Sequence, residues 1–344
     1  MRAFVTGGSG FLGRTLIATL RQRGNEVRAL ARSAEAAATV RAAGAEPARG
    51  DLADEASVRR AATDCAVVVH AAGSVGGTAA DLHRMHVGGT RALLAAARAA
   101  GVPRVVLVSA AGIILDGTPV VDADETRPLP RRFAGPYSRA KAEAERMVLG
   151  ANAPDFRTVA VRPPLIWGAG DTTALPEIVR AARRSQWVWF DHGRYPYATC
   201  HVENVCEGIA VAAERGRGGE AYFLTDGPPV EFHHFMGDLI RTQGVDPGER
   251  SVPWGAGKAL ATGLEVAWRV ARRPGAPALT REIAILMGPY TVRDDKARRE
   301  LGYTSAVSRE AGLAALVATD AQATAGRIVP ASATGGAVRG MGEA

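Results

Sequence analysis

Tyr137 and Lys141 carry the clearest chemical meaning in this sequence, four residues apart in Gly135-Pro136-Tyr137-Ser138-Arg139-Ala140-Lys141. On a helix that spacing places both side chains on one face, one turn apart. A phenol of ordinary pKa, about 10, is a poor base at neutral pH. A nearby ammonium favours the phenolate and lowers that value, so Lys141 is expected to be the electrostatic partner of a proton-transferring Tyr137. The chain holds six Tyr and only three Lys. Random placement gives about 0.05 pairs at this spacing. Arg is plentiful, so a Lys here points to a use for a compact ammonium.

Such a tyrosine serves an alcohol or ketone when a hydride carrier lies beside it. Thr6 to Gly13 reads TGGSGFLG, after a strand-like run and at the opening of a helical one. Gly8, Gly10 and Gly13 satisfy G-x-G-x-x-G; counted from Gly7, the pattern is G-x-x-G-x-x-G. Glycine is needed where the backbone turns tightly and lets a pyrophosphate approach a helix N-terminus, whose free N–H groups and dipole stabilise the anion. The second strand-like run ends at Ala31, where an NAD-binding carboxylate would stand, and Arg32 and Ser33 follow. A guanidinium and a hydroxyl suit a ribose 2′-phosphate, so NADP(H) is favoured, with NAD(H) the alternative. Asp51 and Leu52 follow the third strand and could meet an adenine. Ala71, Ala72 and Gly73 follow the fourth and leave room for a close backbone approach.

The elements that must position these groups alternate. Strands are expected at Arg2–Thr6, Glu26–Ala31, Ala66–Ala71, Val105–Ser109 and Thr158–Arg162, as runs buried on both faces. Helices such as Phe11–Arg23, Glu55–Ala62 and Arg91–Ala100 separate them, with Gly24, Gly44 and Gly101 just past helix ends, where a left-handed cap suits glycine. This βαβα order implies an α/β fold, a Rossmann-type doubly wound parallel sheet. Beyond Pro163, tryptophans and prolines become frequent, which reads as a smaller interleaved substrate lobe. The expected division is a dinucleotide domain over 1–165, completed by parts of 195–226, a lobe over 166–320, and a disordered Gly/Ala-rich tail over 321–344. Within the lobe, 254–272 reads as an amphipathic helix with Leu260, Leu264, Ala267 and Trp268 on one face. It suits packing on the lobe, a cover over an apolar substrate, or contact with a membrane surface.

Composition narrows the classes. The chain has 344 residues and a formal charge of +7, with its basic residues spread rather than gathered in a stripe, which argues against nucleic acid. Cys65, Cys200 and Cys206 form no C-x-x-C pair, the histidines show no ligand spacing, and no metal is expected. The chain enters a strand at once and has no eighteen-residue apolar run, so the cytoplasm is the expected compartment.

Together, TGGSGFLG, His70-Ala71-Ala72-Gly73, the Tyr137/Lys141 pair and RPPLIWGAGD (162–171) resemble the extended short-chain dehydrogenase/reductase superfamily. LVSAAGIILDG (107–117), VLGAN (148–152), HVENV (201–205) and GGEAYFLTDGPPV (218–230) resemble its branch of 3β-hydroxysteroid dehydrogenases and sterol-4α-carboxylate 3-dehydrogenases, which includes bacterial 2-alkyl-3-keto acid reductases. The likeness runs from about Met1 to Val307, ending with DDKARRELGY (294–303). It implies hydride transfer between a nicotinamide and a secondary alcohol or ketone on a bulky apolar substrate, steroid-like or 3-keto/3-hydroxy acyl. It also implies cofactor contacts at Gly7, Gly10, Phe11, Leu12, Gly13, Arg32, Ser33, Asp51, Leu52, Ala71, Ala72, Gly73, Ser109, Tyr137, Lys141, Pro163 and Ile166, and a homodimer through paired helices. Two positions depart from the family. Ala110, next to Ser109, stands where a catalytic Ser or Thr is usual, and His86 where an Asn is usual. A nucleotide-sugar epimerase or dehydratase, or a non-catalytic NADP-binding sensor, are the other readings.

Overall fold

The computed structural model describes residues 1–325 except 274 and 278. Seven parallel strands form the main sheet: β1 (Arg2–Thr6), β2 (Glu26–Ala31), β3 (Glu46–Arg49), β4 (Val67–His70), β5 (Arg104–Val108), β6 (Arg157–Arg162) and β7 (Glu220–Phe223). Their order is β7-β6-β5-β4-β1-β2-β3. The expected strands thus appear within a residue or so of their bounds. Val-rich central strands form because both faces are covered: every residue of β4 is buried. One apolar core lies under the helices Phe11–Gln22 and Val202–Arg215, and a second lies on the opposite face, under Glu55–Ala62 and Gly89–Ala99. The strand order reverses between β1 and β4, and ligands of such sheets sit at the carboxyl ends of the strands at that switch point. Gly24, Gly44 and Gly101 take the expected left-handed conformation, with φ of 76°, 97° and 69°.

The second lobe is more interleaved than the sequence suggests. Its four-stranded sheet joins Val230–Glu231, Pro196–Tyr197 and Tyr290–Val292 to Val120–Ala123, which comes from within residues 1–165. The 165/166 boundary falls inside a short strand, Leu165–Trp167, paired in parallel with Thr199–His201. Trp167, Trp187 and Trp189 are buried in the lobe's core with Tyr195, Tyr197 and Phe232. A helix Arg309–Ala325 closes the described chain, so the first residues of the expected tail, 321–344, continue a helix. Alanine-rich sequence favours that state. Residues 326–344 lie outside the described residues.

Candidate active site

The glycine loop is built as G-x-x-G-x-x-G. Gly7 has φ of 77°, and a Cβ on it would stand 2.7 Å from the Ala72 nitrogen. A Cβ on Gly13 would lie 2.0 Å from the Gly7 carbonyl oxygen, so the helix start can press against the turn only without a side chain. Gly8, the first glycine of the alternative pattern, instead faces the core beside Ala29 and Ile17. Gly10 caps the helix Phe11–Gln22 with no side-chain hydrogen bond, and no acidic residue stands in its first turn. The N–H groups of Phe11 and Leu12, which no helix can satisfy internally, therefore face the loop mouth as an anion seat. The side chain of Arg14, one turn in, donates to the Gly170 carbonyl at 2.9 Å and ties the second lobe to this edge.

At the end of β2, Arg32 is exposed and has no ion-pair partner among the described residues. Ser33 caps the next helix, its Oγ accepting from the Ala36 N–H at 3.0 Å, which still leaves its hydroxyl proton free to donate. The Asp51 carboxylate accepts from the Ala53 N–H at 2.9 Å. Leu52 packs beside Gly89, where a Cβ would stand 2.6 Å from its Cδ2. Pro163 is buried and accepts from the Ala111 N–H at 2.8 Å. Ile166, on the Leu165–Trp167 strand, pairs in register with Cys200.

Pro136 opens the helix Pro136–Gly150, as the missing N–H of proline allows at a first turn. Its interior brings Tyr137 and Lys141 to one end of β5. Lys141 is buried, and its ammonium donates to the Val108 carbonyl at 2.7 Å. Burial lowers its pKa to about 8, against the opposing charge of Glu145 one turn on. Tyr137 departs from expectation. Its pKa is raised, by burial first and then by the nearby Glu282 carboxylate and Tyr290. Lys141 is not among the groups that set it. The resting phenol is neutral, a proton donor rather than a phenolate.

Around the pair stand two neutral imidazoles. His70 bridges Thr6 Oγ1 at 2.8 Å and Thr90 Oγ1 at 3.0 Å, and burial lowers its pKa to about 3. His86 packs edge-on against the Tyr137 ring at 5.6 Å, and its Nε2 lies 2.9 Å from the Ser74 carbonyl. That carbonyl accepts only, so Nε2 carries the proton. Burial, then the Lys141 charge, lowers the His86 pKa to about 4. His86 lies in a π-helical turn, Arg84–Gly88, a form that often bends helices at functional sites. A Cβ on Gly73 would stand 2.8 Å from His86 and 3.7 Å from the Lys141 ammonium, so the small residue lets strand end and pair approach.

Ala110 is extended and rests on the apolar cluster of the second lobe, so it offers no donor. Ser109 continues the β5 ladder, with its N–H on the Val161 carbonyl at 2.8 Å, and its buried Oγ has no partner among the described residues. An orphaned hydroxyl, two glycines that a Cβ would jam and an uncapped helix all suit a dinucleotide at this strand end.

Glu282 is the residue that sequence reasoning missed. It lies in the helix Arg281–Leu286 of the second lobe, buried, and its carboxylate accepts from the Tyr137 N–H at 3.0 Å, the Ser138 N–H at 2.6 Å and the Ser138 hydroxyl at 2.6 Å. Nothing local marks it, since 145 residues separate it from Tyr137. A second buried acid, Glu145, takes both Nε and Nη2 of Arg162 at 2.6–3.2 Å. Among the described residues no group of His, Cys, Asp and Glu is placed to hold a metal ion.

The profile of the 3-beta hydroxysteroid dehydrogenase/isomerase family matches residues 4–253. The 4-hydroxy-2-methyl-3-oxo-4-farnesyl-3,4-dihydroquinoline-1-oxide ketoreductase of Stigmatella aurantiaca is 49% identical, over 92% of this chain and 96% of its own. The decarboxylating sterol-4-alpha-carboxylate 3-dehydrogenase of Dictyostelium discoideum is 30% identical, over 90% of this chain and 98% of its own. Among solved structures, that of gox2253 superposes with a TM-score of 0.76 at 27% identity, covering 93% of this chain and 98% of its own.

Proposed function

The chain belongs to the 3-beta hydroxysteroid dehydrogenase/isomerase family, within the extended short-chain dehydrogenases/reductases, and on that premise we propose that it is an NADPH-dependent ketone reductase for a bulky apolar molecule. The observation that carries the reading is the pair itself, Tyr137 beside the edge-on His86 ring and Lys141 with its ammonium on the Val108 carbonyl at the end of β5. The direction follows the relative at 49% identity, which is named as a ketoreductase. The bound nicotinamide would supply the hydride. Gly7, Gly10 and Gly13, with the free N–H groups of Phe11 and Leu12, would hold its pyrophosphate. Ala71, Ala72, Gly73, Pro163 and Ile166 would line the rest of its path. Tyr137 gives its proton to the carbonyl oxygen as that oxygen gains charge. Lys141, protonated below about pH 8, brings a positive charge to the same strand end and would help hold the cofactor's ribose. With Ala110 silent, the burden of stabilising the oxygen rests on Tyr137. Leu129, Phe133, Leu165 and Met287, partly buried on the second-lobe core, offer an apolar wall to the substrate. The relative at 49% identity is named for a ketone on a farnesylated ring system, a substrate of this class.

The test is hydride transfer, followed by nicotinamide absorbance, over 3-ketosteroids, 3-keto acyl compounds, prenylated quinoline ketones and UDP-sugars. Turnover of apolar ketones supports the reading. Turnover of UDP-sugars alone overturns it, and cofactor binding without any transfer makes the protein a sensor. Arg32 sets the preferred cofactor on this reading. Arg32→Asp is expected to shift the kcat/KM ratio of NADPH over NADH by roughly 10- to 100-fold toward NADH, from the loss of one charged contact.

We further propose that the enzyme meets an anionic membrane surface through the helix Trp254–Val270, where an apolar substrate would be drawn from. Its buried side is Trp254, Gly257 and Ala261. Leu260 and Leu264, on the apolar face read from the sequence, are 58% and 40% exposed, and Val266 and Val270 on another side of the helix are 51% and 78% exposed. Exposed Arg269, Arg272 and Arg273 stand at its end, where they complement anionic headgroups. Among the described residues no helix is long and apolar enough to cross a membrane. Sedimentation with phosphatidylglycerol vesicles, weakened by Leu264→Asp and by salt, is the expected result. A dimer that dissociates on Leu264→Asp, with no vesicle binding, would assign the face to a second copy. The three buried free cysteines suit a reducing, cytoplasmic side of that membrane.

A further inference from the structure

We propose that Glu282 is a positioning residue for the reaction, through which the second lobe sets both the place and the charge surroundings of the proton donor. The inference rests on the reductase reading above. Pro136 has no N–H, so the first donors of the Tyr137 helix are those of Tyr137 and Ser138, and Glu282 accepts both. A helix start normally takes its cap from the residue just before it. Here that residue is Gly135, extended and with no side chain to offer. A Cβ on Gly135 would stand 2.4 Å from the Glu282 carboxylate, so the glycine clears the space that the distant acid fills. A carboxylate at this end also opposes the positive end of the helix dipole.

The carboxylate is held by the first turn of the Tyr137 helix, and the residue before it anchors the same stretch of the lobe. The Ser138 hydroxyl donates to it. The neighbouring Arg281 donates to the carbonyls of Ala134 at 2.7 Å and Asp116 at 3.2 Å, gripping the loop that leads into the Tyr137 helix. The Arg281 N–H in turn donates to Glu265 at 3.0 Å, on the long exposed helix Trp254–Val270. Through the adjacent residues Arg281 and Glu282, hydrogen bonds thus link Glu265 of the helix Trp254–Val270 to the backbone of Tyr137. The titratable groups facing Tyr137 are Glu282 and Tyr290 from the lobe, Lys141 from its own helix and His86 from the Arg84–Gly88 turn. Of these, Glu282 brings a negative charge, which disfavours the phenolate.

The experiment compares the full-length chain with Glu282→Gln, Glu282→Asp and Ser138→Ala. Glu282→Gln should lower kcat for ketone reduction about tenfold, with KM for the cofactor within twofold. Lys141 sets a first limb of the kcat profile near pH 8. A second limb at higher pH, set by Tyr137, should move lower in Glu282→Gln, because the neutral amide no longer opposes the phenolate. Glu282→Asp keeps the charge and should lose rate without moving that limb. Ser138→Ala, which removes one hydrogen bond and no charge, should likewise leave the limb in place. Ionisation of Tyr137, read as the ultraviolet difference between each protein and its Tyr137→Phe counterpart, should shift in the same direction and needs no turnover. An unshifted ionisation in Glu282→Gln overturns the inference even if ketones are reduced. A shifted ionisation without turnover keeps it and sinks only the reductase reading.

Discussion

Tyr137→Phe is expected to cut ketone reduction by about 10²–10⁴-fold while leaving cofactor binding nearly unchanged. The size of the effect follows from how little else can help. Ala110 has no side-chain donor, the Ser109 hydroxyl is buried at the strand end, and both imidazoles are neutral with pKa values near 3 and 4. His86 has its Nε2 proton on the Ser74 carbonyl, so it does not offer that proton to a substrate. The Tyr137 side chain, mostly buried, packs edge-on against His86, and losing its hydroxyl leaves the ring contacts in place. Single-turnover hydride transfer and cofactor fluorescence would check both halves. Equal rates in the two proteins would remove Tyr137 from the chemistry.

The second large effect concerns stability. Glu145→Ala is expected to destabilise the protein by about 3–5 kcal/mol, because it leaves the Arg162 guanidinium buried without its charge partner. The pair is closed from solvent, with side-chain exposures of 1% for Glu145 and 7% for Arg162. Arg162 keeps its position over the Phe223 ring, 5.4 Å from the centroid, and the weaker field of the Glu125 carboxylate. Among the described residues the Nη1 of Arg162 has no partner even in the intact pair. Glu145 also raises the Lys141 pKa, so its loss should make that ammonium easier to deprotonate. Denaturant unfolding of Glu145→Ala, Arg162→Met and Glu145→Leu/Arg162→Met separates the terms. The double variant should recover most of the loss, since apolar groups of similar volume replace a buried pair at little cost. An unchanged unfolding midpoint for Glu145→Ala would show that the pair contributes nothing.

The sequence by itself determined the parts of this protein whose physics is local. The strand runs follow from burial on both faces, and the helix ends from glycines whose left-handed φ few other residues adopt. The glycine loop and the Tyr137–Lys141 spacing are legible because their chemistry is written within a few residues, on one turn or one face. Tertiary structure decided what depends on long-range contacts and on the dielectric around each group. It raised the Tyr137 pKa instead of lowering it, because burial and the Glu282 carboxylate disfavour the phenolate. It gave the Tyr137 helix a cap from 145 residues away. It moved Val120–Ala123 into the second lobe's sheet, beside Tyr290–Val292. It also chose which side of the helix Trp254–Val270 packs. The periodicity showed an apolar stripe there, but only the fold shows that Leu260 and Leu264 face outward while Gly257 and Ala261 face in. Periodicity states that a face is apolar. What covers that face is a property of its neighbours, and those are fixed only when the chain is folded.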